Sequence, residues 1–472
     1  MAVKMFLKNI KWDITKQCFL ACSFCINKKE RENDFYKDID TTDIYTILSK
    51  LNSIGVTHIQ FLGGEPTHRK DFLDILTYIE NNTSGIKVGI NTNGFLLKKQ
   101  YIEKLRKLSC IDLIVISIDG IKETHNKIRG GKVYDVVIDN LKNLCKNNPY
   151  KICVNTVITK QNIAELGYLI TFLDDIGIDE WIGLELITEK DNKYIQEFTQ
   201  DELFELVKCL GALQKNVNCQ LIPKFSSPLI VDYINNKYGY NLKLPVRTCS
   251  AGFGYSYIDW KGFIYPCDRL TENEKTVKIY KEKHLEKINL SSTDISTLIQ
   301  APLFREFNYV YSVGLNNIYS ECKNLCKFFK KECTPCTVVR LNKNDKQSAP
   351  ASCKKIFFLE KERIQNELRD KLHETEIIIL NKLVTYDIIE NVMYLYNHEQ
   401  TEVYKITDLY FFSILLTLQN KVEGITVKDL LVESIDFVSL HQSLYLFSID
   451  TILAEFNNAL TVLKKEGILL RE

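Results

Sequence analysis

From about residue 11 to about residue 190, short apolar runs alternate with segments of helical period, and this alternation limits the fold more than any other feature of the chain. The runs fall at 12–15, 57–62, 88–91, 113–118, 152–158 and 181–187. Between them lie amphipathic stretches such as 42–48, 72–76 and 136–141, whose apolar residues repeat on one helical face. Six such βα units require a parallel sheet with helices outside it. The run Leu113-Ile114-Val115-Ile116 is apolar on both faces, as a strand covered on both sides must be. Six units rather than eight predict an α/β fold built as a partial (β/α)6 TIM-like barrel, with functional residues at the C-terminal strand ends.

The repeat stops after about residue 240. Between Cys249 and Cys353 seven cysteines stand among Gly, Lys and Asn, a composition suited to a segment stapled by metal rather than by a core. A polar stretch, 342–351, and a charged helical stretch, 358–372, lead to a third region. There Val392-Met393-Tyr394-Leu395-Tyr396 and Val403-Tyr404-Lys405-Ile406 flank a polar turn and predict a β-hairpin. Three helices follow: one over 409–418 after Thr407-Asp408, one with Thr426 and Asp429 at capping-box spacing, and one stacking Ile452, Phe456 and Leu460 before Gly467. Ile468-Leu469-Leu470 suits a closing strand. The reading is three domains, 1–240, 241–374 and 375–472, the last a small α+β winged-helix-like module.

Composition narrows the chemistry. The 472 residues, 45% hydrophobic and 26% charged, suffice for two or three cores. Lys+Arg 61 against Asp+Glu 60 leaves +1, which favours neither nucleic acid nor an anionic membrane. The first residues, MAVKMFLKNIKWDITKQ, lack an apolar signal core, and no apolar run has the length of a membrane span, so a cytoplasmic location is expected. In that compartment 15 cysteines read first as metal ligands, not disulfides.

Cys18-x3-Cys22-x2-Cys25 follows the first predicted strand. Three thiolates can hold three irons of a 4Fe-4S cluster and leave the fourth iron open to chelate the amino and carboxylate groups of a methionine moiety. A zinc site, the bland alternative, normally wants four ligands, usually as two pairs, and no such pair adjoins. The spacing, with Phe24 just before the last cysteine, resembles the radical S-adenosylmethionine (SAM) superfamily. Gly63-Gly64-Glu65-Pro66 after the second strand, Asn91-Thr92-Asn93-Gly94 after the third and Ser117-Ile118-Asp119-Gly120 after the fourth fit the same pattern, with Arg129 following in Thr124-His125-Asn126-Lys127-Ile128-Arg129. The resemblance implies that Phe24 lies against the adenine, that Gly64 and Glu65 serve the cofactor's ammonium, and that Ser117 and Arg129 serve the cofactor, the guanidinium pairing its carboxylate. It assigns no individual role to 91–94.

Cys249-x12-Gly262-x4-Cys267, then Cys322-x3-Cys326-x6-Cys333-x2-Cys336, then Cys353, resembles the SPASM extension of peptide-modifying radical enzymes, which binds two auxiliary 4Fe-4S clusters. The family's usual central spacing is x2, x5, x3. By resemblance Cys249, Cys267 and Cys336 hold one auxiliary cluster and Cys322, Cys326, Cys333 and Cys353 the other; one or two structural zincs are the alternative. Asp268, next to Cys267, matches a proposed general base of sulfatase maturases, and equally suits a turn cap. The single cysteines Cys110, Cys145, Cys153, Cys209 and Cys219 read as small buried hydrophobes, and His125 and His441 as structural residues.

The C-terminal module resembles the recognition element that binds a leader peptide as an added strand in ribosomal-peptide maturation. DNA binding finds little support, since the helix near 452–465 offers only Lys464 and Lys465 beside Glu455 and Glu466; a dimerisation domain is a third reading. Together these features predict a radical SAM peptide maturase (a thioether or carbon-carbon cross-link in a ribosomally made precursor) that uses SAM and three 4Fe-4S clusters. Its partners would be the leader-bearing precursor and a reducing protein such as flavodoxin or ferredoxin, with no nucleic acid and no membrane. The alternatives are a formylglycine-forming sulfatase maturase and, outside enzymes, an iron-sulfur redox regulator.

Overall fold

The computed structural model describes residues 7–25, 37–186, 198–246, 250–252, 254–270, 287–295, 298, 301–305, 333, 351–371, 377–380, 384–389, 392–397, 402–406, 408–418, 425–441, 449–466 and 468–471. Two compact units divide the chain: Met1–Asn316 with Glu332–Asp345, and Asn317–Lys331 with Lys346–Glu472.

The first unit is built on one sheet. Strands β1 (Asn9–Asp13), β2 (His58–Leu62), β3 (Lys87–Thr92), β4 (Ile111–Ser117), β5 (Lys151–Val157), β6 (Glu180–Leu184) and β7 (Gln220–Pro223) stand in sequence order, each parallel to the next. The sheet thus has seven parallel strands where the apolar runs suggested six. The seventh, Gln-Leu-Ile-Pro, is too short and too mixed to stand out by pattern. Strand β1 begins three residues earlier than its apolar run, because Ile10 and Trp12 are the residues that point into the core.

Both sheet faces are covered, which explains the near-continuous apolar runs. Ile10, Trp12, Ile59, Phe61, Val88, Ile90, Ile114, Ile116, Ile152 and Val154 are buried, and Phe61 meets Phe72 of helix α2 (Phe72–Asn82) edge-on at 5.5 Å. Helix α1 (Thr41–Ser53) buries Ile44, Ile47, Leu48 and Leu51 at helical spacing. On alternate strand positions Val115, Cys153, Ile182 and Ile222 form a second cluster, flanked by Leu113 and Leu184.

The start of the cysteine-rich segment extends this sheet. Strand β8 (Tyr255–Ile258) pairs parallel to β1, on the side away from β2, and β9 (Phe263–Tyr265) and β10 (Ile288–Asn289) follow antiparallel. The turn between β8 and β9 needs Gly262 at φ 81°, while the Asp259 carboxylate accepts from the amides of Lys261 and Phe263, both at 2.9 Å.

In the second unit the expected hairpin is the later half of a three-stranded antiparallel meander, β12 (Val384–Ile389), β13 (Val392–Asn397) and β14 (Glu402–Ile406). A second small sheet joins β11 (Ile377–Leu380) to β15 (Ile425–Thr426) and to the closing strand β16 (Leu469–Arg471). The three helices are Leu409–Leu418, Val427–His441 and Ile449–Lys465. Asp408 caps the first, accepting from the amides of Tyr410 and Phe411, and Thr426 accepts from the amide of Asp429 as its spacing suggested. Ile452, Phe456 and Leu460 are buried in one core with Leu430, Ile435 and Ile414. Ile364, from helix Ala351–Lys371, joins that core, so this helix belongs with the C-terminal helices. Among the described residues no helix is long and apolar enough to cross a membrane.

Candidate cofactor site at the strand ends

The loop that leaves β1 carries Cys18, Cys22 and Cys25, with Cys22 buried and the others half-buried. Its shape is imposed by the glycine pair after β2. The amide of Gly64 donates to the carbonyl of Thr15 at 2.7 Å, and that of Glu65 to the carbonyl of Gln17 at 2.8 Å. A Cβ on Gly63 would lie 2.2 Å from the Thr15 carbonyl oxygen, and one on Gly64 2.1 Å from that of Gln17. Gly63 also sits at φ 128°. No side chain fits at either position, so the glycines let two backbones meet and thereby fix the cysteine loop.

Glu65 is 1% exposed and its carboxylate is fully engaged inside the protein. Oε1 accepts from the Thr67 amide at 3.1 Å, the Thr67 hydroxyl at 2.6 Å and the Thr92 hydroxyl at 2.7 Å; Oε2 accepts from the Asn93 amide at 2.7 Å. Burial pushes its pKa up and these donors pull it down, with burial the stronger. Through Glu65 the turn after β2 is tied to the turn after β3, whose Asn93 aims its side-chain amide at Cys18 Sγ, 4.0 Å away. Asn93 therefore has a place at the site that sequence reasoning left unassigned, although the motif containing it was visible.

Arg129 ends helix α3 (Lys122–Arg129) and is 9% exposed. Its Nη1 points at Cys22 Sγ, 3.8 Å away, its guanidinium lies 5.6 Å from the centre of the Phe24 ring, and its Nη2 is 2.5 Å from Asp119 Oδ2. Burial opposes its charge, but Asp119 and Cys22 outweigh that and hold its pKa above the ordinary value. Burial raises the pKa of the Cys22 thiol, and Arg129 draws it back. Gly130, at φ 70°, closes the helix where a Cβ would stand 2.7 Å from the Ala21 carbonyl oxygen, and the Ser23 amide donates to the Ile128 carbonyl at 2.9 Å. Helix end and cysteine loop are thus pinned together.

Ser117 ends β4, in register with Asn155 of β5. Asn155 Oδ1 is buried with no hydrogen-bond partner, and Arg129 Nε is likewise buried and unpartnered. A buried acceptor and a buried donor left open are costly unless a bound group satisfies them. Among the described residues no three His, Cys, Asp or Glu side chains converge where one metal ion could be held. Three thiols on one short loop, with a fixed cation and an aromatic ring against it, are a donor set suited to a 4Fe-4S cluster carrying an amino-acid nucleoside such as SAM.

The later cysteines are only partly described. Cys267 is buried, Cys333 half-buried and Cys353 buried within the helix Ala351–Lys371. Cys249, Cys322, Cys326 and Cys336 lie outside the described residues. Asp268 follows Cys267 at the start of a single helical turn, with Lys11 Nζ 3.2 Å from its Oδ2 and Cys267 Sγ 3.3 Å from its Oδ1. Of the solitary cysteines Cys110, Cys153 and Cys219 are buried, Cys145 is half-buried, and Cys209 is exposed instead of buried. His125 is structural, 1% exposed and accepting at Nδ1 from the Asp119 amide at 3.2 Å.

Residues 12–173 match the family model of the radical SAM superfamily. The chain is 30% identical over 167 residues to Fe-coproporphyrin III synthase of Methanosarcina barkeri, covering 35% of this chain and 41% of that one. It is 28% identical over 169 residues to mycofactocin maturase MftC of Mycobacterium tuberculosis, covering 36% and 42%. The chain therefore spans about two fifths of the length of these curated relatives. Its fold is similar to that of Streptococcus suis SuiB bound to the precursor peptide SuiA, with a TM-score of 0.55, 21% identity, and 74% of this chain and 76% of that one covered. The matched segment holds the whole constellation described above, from the cysteine loop to Asn155, and over these residues the chain is similar to the radical SAM superfamily.

Proposed function

We propose that this protein is a radical SAM maturase that modifies a ribosomally made precursor peptide. The observation that supports the radical half is the placement of Arg129 against Cys22 and Phe24 on the loop that carries Cys18, Cys22 and Cys25, a loop locked by Gly63 and Gly64. When bound, the clusters and SAM supply the electron that cleaves the sulfonium, the adenosyl radical that removes a hydrogen atom from the peptide, and an acceptor for the electron released as the new bond closes.

The chain's own residues hold and orient. Cys18, Cys22 and Cys25 are the cluster ligands. Arg129 presents a stationary positive charge, with Nε open toward the cofactor's carboxylate. The backbone at Gly64 serves the ammonium, and Glu65, whose oxygens are all engaged internally, serves it by holding that turn. Ser117 and Asn155 Oδ1 offer polar contacts at the ends of β4 and β5, and Phe24 a face for the adenine. Asp268, beside Lys11, is the candidate proton acceptor when a cross-link forms: closing a thioether from C–H and S–H releases one hydrogen atom, one proton and one electron.

The peptide half is supported by the likeness to a mycofactocin maturase and to SuiB in its precursor complex, and by the small sheets of the second unit, whose edge strands could take an added peptide strand. In this reading 1–240 is the radical domain, the cysteine-rich segment from 241 onward a SPASM domain with its two auxiliary clusters, and 375–472, packed with the helix Ala351–Lys371, the leader-binding module. The deciding experiment is anaerobic reconstitution followed by assay of 5'-deoxyadenosine, then co-expression with candidate precursors and mass spectrometry. About twelve irons per chain are expected for three cubanes and about four for the triad alone. A reconstituted protein that releases no 5'-deoxyadenosine refutes the reading. One that releases it but leaves every co-expressed precursor unchanged refutes the peptide half.

A further inference from the structure

Asp119 stands in the motif Ser117-Ile118-Asp119-Gly120, which assigns it no role of its own, yet it has four partners. Its side chain is 0% exposed. Oδ1 accepts from the Val157 amide at the end of β5 at 2.9 Å, and Oδ2 faces Arg129 Nη2 at 2.5 Å in a close ion pair. Its carbonyl accepts from Asn162 Nδ2 at 2.8 Å, which also donates to the Val157 carbonyl at 2.8 Å. Its amide donates to His125, which burial keeps neutral, with a pKa lowered to about 3. Four residues on three elements, the end of β5, the helix Lys122–Arg129 and the turn at Asn162, are thus tied to one residue that offers no open face to a ligand.

The chemistry of the pair follows from its burial. An arginine held 3.8 Å from Cys22 Sγ with no counter-ion would be an uncompensated cation in a water-poor site, free to turn either toward the sulfur or away. With Asp119 on Nη2, one edge of the guanidinium is fixed, its net field at the sulfur is reduced, and Nε is left as the donor aimed elsewhere.

We propose that Asp119 is a positioning residue for the radical chemistry: through its buried ion pair it fixes Arg129 in orientation and tempers its charge, and so sets both the affinity for SAM and the reduction potential of the cluster held by Cys22. This inference rests on the function proposed above. It requires that Asp119 act only through Arg129, and that requirement is what a test can break.

The test uses the full-length, cluster-loaded protein under anaerobic conditions, with equilibrium SAM binding and an electron-paramagnetic-resonance redox titration as readouts. The variants are Asp119→Asn, Arg129→Gln and the double variant. Asp119→Asn should weaken SAM binding about tenfold or more and shift the potential of the SAM-binding cluster positive, because Arg129 loses its counter-charge. The double variant should match Arg129→Gln alone in both readouts, since removing Asp119 has nothing left to act through. A merely structural role would lower iron content or melting temperature without a directed change of potential. Wild-type potential and affinity in loaded Asp119→Asn overturn the proposal, as does a further tenfold loss in the double variant over Arg129→Gln. If Asp119→Asn does not hold its cluster, the comparison of the double variant with Arg129→Gln decides alone. A wild-type protein that binds neither iron nor SAM refutes instead the function on which the inference rests.

Discussion

The first unit buries Glu65, Asn93, Asp119, His125, Arg129 and Asn162 at the ends of its parallel strands, whereas in the C-terminal unit the only buried polar residues among those described are Ser413 and Ser434. Each serine donates one hydrogen bond to a neutral oxygen, Ser413 to the Tyr410 carbonyl and Ser434 to the Thr417 hydroxyl of the neighbouring helix. The strand-end groups cross-link turns that are distant in sequence, Glu65 to Asn93 and Asp119 to Val157 and Arg129. Burying ions and amides is a costly way to gain stability, and an apolar core does it with less risk. The polar lattice of the first unit is therefore best understood as fixing chemistry in place, and the apolar core of the second as holding a scaffold together.

That contrast is broken most sharply at Cys22. Cys22→Ala should abolish 5'-deoxyadenosine formation and remove about four irons per chain, leaving about eight if both auxiliary clusters are present. The melting of the C-terminal helices should not change. Retained cleavage of SAM in the variant would exclude Cys22 as a ligand.

The reciprocal experiment removes a core side chain from the other unit. Phe456 is fully buried and meets Tyr410 edge-on at 4.9 Å. Phe456→Ala should cost about 3–5 kcal/mol, a large part of what a unit of this size has. Precursor binding should fall with it, while peptide-independent cleavage of SAM stays at the wild-type rate. This variant is a cleaner probe than truncation after residue 375, which would strand Ile364 of the preceding helix without its core. Normal precursor binding by a protein whose C-terminal unit has melted would show that this unit is not the recognition element.

What the sequence revealed divides along the same line. Strands buried on both faces announce themselves as apolar runs, and Ile452, Phe456 and Leu460 announce a helix by their spacing; hydrophobic period is a local signal. Cys18, Cys22 and Cys25 were legible because a cluster's ligands are close in sequence. Strand β7 was not, because its four residues include only two aliphatic side chains, and the helix before it, though capped by Thr199 and Glu202, was not read as part of another βα unit. Asp119 and Asn155 were hidden for a different reason. Their importance lies in partners 10 and 38 residues away: the helix after β4 folds Arg129 back onto Asp119, and the register of the parallel strands sets Asn155 opposite Ser117.

A smaller effect tests whether the lattice is truly closed to water. His125 is buried neutral, its pKa lowered to about 3, chiefly by burial and further by Arg129. A depressed value in the folded state means that stability is complete above about pH 6.5 and is lost as pH falls from there toward 3. Between pH 7 and pH 5 the loss should be about 2 kcal/mol. His125→Asn keeps an acceptor for the Asp119 amide and removes the titration. Urea unfolding of the first unit should therefore weaken from pH 7 to pH 5 in the wild type and change much less in the variant; equal slopes would mean that His125 is reached by solvent.

Asn155 should give the smallest change and the most local one. Its Oδ1 is buried without a partner at the end of β5, beside Ser117. One hydrogen bond regained on cofactor binding contributes about 1–1.5 kcal/mol, so Asn155→Ala should weaken SAM binding by about tenfold. Iron content should be unchanged, since the residue has no contact with the cysteine loop among its described hydrogen bonds. The free protein should be no less stable than wild type, because the substitution removes an unsatisfied acceptor rather than a bond. Tighter folding together with weaker SAM binding is the signature of a polar atom kept for a ligand, whereas unchanged affinity would assign that orphan acceptor to the fold alone.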